Sequence, residues 1–114
     1  MDTFDLNNKK FVLIQNSEKG EVNSETIFEY QQDGNLVTAD YSGGTIRYGK
    51  IIAEINGDKL NMLYQCLTTD NQLKAGKALA IISLTEEGKM KLTLDWEWLT
   101  NGNDKGKSEY IETK

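Results

Sequence analysis

The sequence predicts an all-β fold, an antiparallel meander of about eight strands closed into a small barrel. Three observations support this prediction. Turn-forming residues recur at short intervals, the segments between them alternate between apolar and polar residues, and the chain contains no proline. Asn56-Gly57 is the clearest turn, because Asn-Gly favours two-residue hairpins whose central residues take positive φ. The other turn signals are Glu18-Lys19-Gly20, Asp33-Gly34-Asn35, Ser42-Gly43-Gly44, Thr69-Asp70-Asn71, Glu86-Glu87-Gly88 and Asn101 to Gly106.

The segment from Met90 to Trp98 has the clearest strand pattern. Its apolar residues occupy every second position, and Lys91, Asp95 and Glu97 are among the polar residues between them. This period is typical of a strand with one buried face, whereas a helix would scatter the apolar residues around its circumference. Along the whole chain, the same alternation and the turns predict strands at residues 10–15, 25–32, 35–41, 46–55, 58–68, 74–84, 89–99 and 106–112.

Short strands that follow one another closely along a chain usually pair with their neighbours. An open meander would leave two unprotected edges, which promote aggregation, and no proline is present to protect them. Closure into a barrel removes both edges, and a sandwich of two sheets is the alternative. The segment from Asn71 to Ala80 has some helix-forming composition, but Gly76 and the β-branched residues that follow favour a strand.

Size and charge limit the classes of function. The chain has 114 residues, so we expect one barrel domain over residues 1–114. Its net charge is −5, and an acidic surface repels both nucleic-acid phosphates and anionic membranes. No segment has the apolar length of a signal peptide or a membrane span. We therefore expect a soluble cytoplasmic protein without nucleic-acid or membrane partners.

Few residues in the sequence could carry chemistry. The absence of histidine removes the commonest general base, and the single Cys66 excludes thiolate metal clusters, so we expect no metal, no cofactor and no catalytic residue. Asp95 and Glu97 share one face of a strand and are the best acid–base pair that an enzyme could use. The alternation places them on the solvent side, opposite Trp96 and Trp98.

The aromatic residues are the most informative group for function. Large rings on inward strand faces suit either a filled core or a ligand pocket at a barrel mouth, and the sequence leaves both open. Tyr41 and Tyr48 belong to strands whose facing the pattern does not decide. Arg47 and Gln65 would supply polar contacts if they turn inward. The candidate ligand-binding residues are Phe28, Tyr30, Tyr64, Trp96, Trp98, Arg47 and Gln65.

Several motifs are spread over nearly the whole chain, from about Phe11 to Glu112. They are Ser24-Glu25-Thr26-x-Phe28-x-Tyr30, Gly34-Asn35-x-Val37-Thr38-Ala39-x-Tyr41-Ser42-Gly43-Gly44-x-Ile46, Gly49, Asn61-Met62-x-Tyr64, Gly88-Lys89, Trp96-x-Trp98 and Gly106-Lys107-Ser108. Together they resemble a family of small bacterial proteins of unknown function that are often labelled N-acetylglutamate synthase. The resemblance implies a calycin-like barrel of the lipocalin or avidin type. It does not extend to the labelled activity, because the chain lacks the Q/R-x-x-G-x-G/A turn and helix that hold acetyl-CoA.

These observations lead to three hypotheses about function. The first is a non-enzymatic binding module that takes a small, partly apolar ligand at the barrel mouth. The second is a structural or protein-interaction domain with a filled barrel, for example a homodimer. The third is an enzyme that works without histidine and needs an inward-facing acid.

Overall fold

The computed structural model describes residues 4–16, 25–100 and 104–113. These residues form eight antiparallel strands, and the described ranges contain no helix. The all-β prediction is therefore confirmed. The strands are β1 (Lys9–Asn16), β2 (Ile27–Asp33), β3 (Leu36–Gly43), β4 (Ile46–Asn56), β5 (Lys59–Thr68), β6 (Leu73–Leu84), β7 (Met90–Trp98) and β8 (Lys105–Thr113).

The sheet closes on itself. Each strand pairs with the next one along the chain, and β1 pairs with β8. Closure leaves none of the eight strands with an unpaired edge, so the barrel forms rather than the two-sheet sandwich. The predicted strand boundaries differ from the observed ones by at most two residues, and the segment with helix-forming composition is a strand, β6.

The described turns use glycine as predicted, but the positive φ predicted for Asn56 is wrong, because Asn56 is the last residue of β4 and pairs with Lys59. Gly34 and Gly57 have φ values of 62° and 64°, the left-handed conformation that glycine adopts without steric cost. Both lie in tight hairpins, between β2 and β3 and between β4 and β5. The turn predicted at residues 18–20, and residues 101–103 of the last predicted turn, lie outside the described residues.

One end of the barrel, which we call the closed end, is covered by the segment before β1. In an antiparallel meander the turns alternate between ends, so this end also carries the β2–β3, β4–β5 and β6–β7 turns. Leu6 belongs to the core cluster and has no exposed surface. Its N–H donates to Gln32 Oε1 at 2.9 Å, and the Asn8 N–H donates to the Tyr30 carbonyl at 3.0 Å. These bonds hold the segment against the barrel.

The opposite end, which we call the aromatic end, carries the β3–β4, β5–β6 and β7–β8 connections. Three of the largest inward side chains, Tyr64, Trp96 and Trp98, lie toward it. No helix in the described part of the chain is long and apolar enough to cross a membrane. Within the same ranges, no group of three His, Cys, Asp or Glu residues could hold a metal ion.

Candidate functional site

Tyr64 and Trp98 meet at the aromatic end across a glycine. Tyr64 on β5 pairs with Gly76 on β6, which in turn pairs with Trp98 on β7. The ring centroids are 5.5 Å apart and the planes meet at 72°, the edge-to-face geometry that aromatic pairs prefer. A Cβ at position 76 would lie 2.6 Å from Tyr64 Cζ and 2.7 Å from the Glu97 carbonyl oxygen. The ring of Tyr64 can take this position because residue 76 has no side chain.

Tyr41 is positioned by a second glycine. A Cβ on Gly49 would lie 2.2 Å from Tyr41 Cζ, so the tyrosine ring lies directly against the glycine backbone. The ring also stacks on Phe28, with centroids 4.7 Å apart, and its hydroxyl donates to the Gln65 carbonyl at 3.3 Å. Together these contacts hold the Tyr41 ring inside the barrel.

Buried hydroxyl side chains are found at the aromatic end. Thr26, Thr68 and Ser108 are the buried polar residues within the described ranges. Thr26 Oγ1 donates to the Gly43 carbonyl at the end of β3 at 2.8 Å, and Thr68 Oγ1 donates to a carboxylate in the β5–β6 turn. Ser108 Oγ accepts a hydrogen bond from Trp96 Nε1 at 2.7 Å. Each polar group therefore has a partner, which offsets the cost of removing it from water.

Burial controls the ionisation of the inward tyrosines. Desolvation raises the pKa of the Tyr41 and Tyr64 hydroxyls well above the ordinary value of 10. It raises the pKa of Tyr110 to about 12, an increase that a hydrogen bond with Ser108 limits. These phenols stay neutral near pH 7, where they can exchange hydrogen bonds with a ligand but are poor proton acceptors.

The rim of this end also carries a positive charge. Lys74 Nζ lies 5.6 Å from the centroid of the Trp98 ring, within the range of a cation–π contact. Lys74 is half-buried on β6, near the β5–β6 turn. The ammonium group therefore lies beside the Tyr64–Trp98 pair at the entrance.

Five of the seven candidate residues lie on inward faces, as the alternation predicted. Phe28, Tyr30, Trp96 and Trp98 are buried and Tyr64 is half-buried. The structure brings Tyr64, Trp96 and Trp98 together, since the two indole centroids are 6.1 Å apart. Tyr30 packs instead against another ring, that of a phenylalanine near the closed end, with centroids 5.3 Å apart. That these side chains contact a ligand stays a prediction.

The inward placement considered for Arg47 and Gln65 is wrong, because both side chains are exposed. The pairing of β4 with β5 shifts register between Ile46 and Tyr48, and this irregularity leaves Arg47 and Tyr48 both outside the barrel. Gln65 follows the half-buried Tyr64 on a regular strand, so alternation turns it outward.

The residues considered for an enzyme lie elsewhere. Asp95 is exposed and Glu97 is half-buried, and both line a groove on the outer surface of the barrel. Cys66 is a buried cysteine on an inward face, and as the single cysteine of the chain it forms no internal disulfide. The interior at the aromatic end therefore presents aromatic rings and neutral hydroxyls, a chemistry suited to binding.

Tyr41, Lys74 and Ser108 are among the site residues that were not sequence-based candidates. Tyr41 continues the alternation of Val37 and Ala39 on β3, and applying that period as far as the β3–β4 turn would have placed it inside. Ser108 shares the inward face of β8 with Tyr110, but a small polar residue gives no hydrophobic signal. Only its hydrogen bond with Trp96 on the neighbouring strand β7 identifies it.

Comparison with known proteins agrees with this geometry. A family model described as avidin-like protein matches residues 4–113, which covers almost the whole chain. No curated protein and no solved structure gives a significant match. Because the family model matches almost the whole chain and the eight strands close into a barrel, the chain belongs to the avidin-like family.

Proposed function

We propose that this chain is a non-catalytic binding protein that takes a small, partly apolar ligand at the aromatic end of the barrel. The observation that carries the proposal is the pair of rings at the rim. Trp98 is buried, whereas Tyr64, set edge-on against it, stays half-exposed. A ligand that covers the exposed part of Tyr64 would also come close to Trp98.

The exposure of the described residues supports this end rather than the other. Leu6 and the segment around it cover the closed end, and hydrogen bonds to β2 hold that segment in place. At the aromatic end, the half-exposed Tyr64 and Lys74 lie at the entrance. Membership of the avidin-like family, whose barrels bind small ligands, supports the same conclusion.

The lining favours a particular ligand chemistry. The buried residues in the described ranges include no charged side chain, so a charged group taken into the interior would be desolvated without a partner. The rings suit a flat or aliphatic ring, and the neutral tyrosine hydroxyls suit a neutral polar group. An anionic group on the ligand would stay at the rim, near the Lys74 ammonium. The proposed ligand is therefore a small ring compound with a neutral polar body.

A fluorescence titration tests the proposal. Biotin, the type of ligand associated with avidin-like barrels, and a panel of neutral ring compounds are the probes. We expect one of them to quench the emission of Trp96 and Trp98. We expect Tyr64→Ala to weaken its binding by about tenfold or more, which corresponds to about 1.4 kcal/mol.

Tyr48→Ala is the matched control, since Tyr48 is exposed on the outer face of the barrel. It should leave the affinity unchanged. Quenching by none of the probes would contradict the proposal, and so would equal losses of affinity in the two variants.

A second candidate function is a protein-interaction domain with a filled barrel. It is favoured by the contacts among the inward rings, since Phe28 stacks on Tyr41 and Tyr110 packs edge-on against Phe28 at 4.9 Å. Rings that fill the interior leave less room for a ligand. The two functions are separated by the titration, because only the first predicts quenching that depends on Tyr64.

A further inference from the structure

The segment before β1 is attached to the barrel mainly by one buried side chain. Leu6 has no exposed surface, and the half-buried Phe4 packs against the core. Asp5, Asn7 and Asn8 are exposed. The other buried residues of the core cluster lie on the strands. The segment therefore contributes only a small part of the apolar area that stabilises the barrel.

The hydrogen bonds that hold this segment use glutamine and asparagine side chains. The Leu6 N–H donates to Gln32 Oε1 at 2.9 Å, and the Gln32 N–H donates to Asn7 Oδ1 at 3.2 Å. Gln31 Nε2 donates to Asn8 Oδ1 at 3.3 Å. The last two bonds are exposed, so water competes for the same donors and acceptors and each bond adds little net stability.

The segment also lies outside the strand ladder. Lys9, opposite Tyr30, is the first residue of β1 that pairs with β2. Before that pair, the Asn8 N–H donates to the Tyr30 carbonyl at 3.0 Å. Detaching residues 4–8 therefore separates none of the residue pairs between β1 and β2, and the ladder of the barrel stays intact.

The turn that folds the segment back over the barrel has a backbone conformation that opposes closure. Asn8 has a φ of 61°, in the left-handed region, which costs more for a residue with a side chain than for glycine. Asparagine adopts this region more readily than most residues, but a detached segment is free to leave it. Opening relieves this cost and so requires less free energy.

The interior beneath the segment is apolar. Val37 has no exposed surface and pairs with Gln32, the residue that binds the Leu6 N–H. Phe11 is also without exposed surface and packs edge-on against Tyr30. A detached segment would open a path for small apolar solutes to these side chains.

We propose that residues 4–8 form a plug that opens while the barrel stays folded, and that the open plug gives small apolar solutes a second entrance at the closed end. The plug is closed most of the time, because burial stabilises the Leu6 side chain. Its opening costs less than unfolding of the barrel, as is general for segments with few buried contacts. The proposal does not depend on ligand binding at the aromatic end.

Labelling of a cysteine placed under the plug tests the proposal. Val37→Cys combined with Cys66→Ser leaves one thiol in the chain, and N-ethylmaleimide, a small uncharged reagent, is the probe. At low urea we expect labelling at least about tenfold faster than global unfolding allows and nearly independent of urea, because local opening exposes little surface. Leu6→Ser added to this variant removes the apolar anchor and should raise the rate by a further factor of about ten.

Leu84→Ser is the matched control, because Leu84 ends β6 at the closed end and is 60% exposed. It should leave the labelling rate unchanged. Urea denaturation of each variant confirms that it is folded and gives the rate that global unfolding allows. Labelling that rises steeply from the lowest urea concentrations would overturn the proposal. Equal rates in the Leu6→Ser and Leu84→Ser variants would also overturn it, because the reagent would then enter elsewhere.

Hydrogen exchange of the unsubstituted chain is a second test, which holds even if Val37→Cys does not fold. The amide protons of Leu6 and Asn8 should exchange at least about tenfold faster than those of the paired residues of β4 and β5. Equal protection of the two groups would show that the plug opens only when the barrel unfolds, and the proposal would be wrong.

Discussion

The interiors of the two ends of the barrel are packed with different kinds of residue. At the closed end, Leu6, Phe11, Val37, Leu60 and Leu92 are apolar side chains without exposed surface. The aromatic end contains the described buried hydroxyl residues as well as tyrosine and tryptophan rings, and glycines make room for two of those rings. Apolar packing stabilises without geometric demands, whereas buried polar groups must each find a partner. The contrast indicates that the closed end serves stability and the aromatic end serves recognition.

The largest effect is expected from removing the main ring of the closed end. Phe11 has no exposed surface and packs edge-on against Tyr30. Phe11→Ala leaves a cavity there, and we expect it to lower the free energy of unfolding by about 4 kcal/mol, measured by urea denaturation. If the closed end is purely structural, the loss of stability should leave the affinity of the aromatic end for a ligand unchanged. That affinity is measured under conditions in which the variant is still folded.

Ile14→Ala on the same strand provides the control, since Ile14 is exposed. Its cost should stay within about 0.5 kcal/mol. A similar loss in both variants would mean that strand propensity, rather than packing at the closed end, dominates the stability of β1.

A smaller effect is expected at the aromatic end, from Gly49→Ala. Backbone conformation is no obstacle to alanine here, because Gly49 is not among the glycines with positive φ. The cost comes from the new Cβ, which would lie 2.2 Å from Tyr41 Cζ. Displacing the stacked Tyr41 ring should lower the free energy of unfolding by about 2 kcal/mol, measured by urea denaturation.

A double-mutant cycle identifies the cause. In a Tyr41→Ala background the ring is absent, so Gly49→Ala should cost less than about 0.5 kcal/mol. If the cost is the same in both backgrounds, the glycine is required for a reason other than the tyrosine ring, and the packing described for the aromatic end is wrong.

The sequence predicts the fold well because the fold depends on patterns that the sequence displays directly. The alternation from Met90 to Trp98 and the Asn56-Gly57 turn are local signals, and local signals determine the strands and hairpins of a meander. Closure could be argued from the unprotected edges alone. Alternation also placed Phe28 and Trp96 on the correct face.

The site was harder to predict because it depends on contacts across strands and on register irregularities. Alternation cannot detect the shift between Ile46 and Tyr48 that leaves Arg47 outside. It also cannot show that Gly76 makes room for the ring of Tyr64, because that contact depends on which residues pair. The groove on the outer surface of the barrel was missed for the same reason, since Leu63 resembles any exposed leucine until the register places Ile52 beside it.

The smallest effect is expected at the margin of the closed end, where a carboxylate completes the hydrogen bonding of β7. The Met90 N–H donates to Glu112 Oε1 at 2.6 Å, and Lys9 Nζ lies 3.2 Å from the other oxygen. The backbone hydrogen bond from Met90, assisted by Lys9, lowers the pKa of Glu112 below its ordinary value of 4.5. The ionised form is therefore more stable in the folded chain than in the unfolded chain.

The sign of the pH dependence follows from that difference. The contribution of Glu112 to stability is complete above pH 4.5, the ordinary pKa, and is lost as the pH falls through the lower pKa of the folded state. Glu112→Gln keeps an oxygen acceptor but loses the charge, so we expect it to cost about 1 kcal/mol at pH 7 and progressively less below pH 4.5. Urea denaturation at several pH values measures the difference, and Glu29→Gln, at an exposed position on β2, is the control for the change of residue type. If the cost of Glu112→Gln is unchanged at pH 3, the side chain acts through packing and not through its charge. The stability of the closed end would then come from packing, in keeping with its apolar composition.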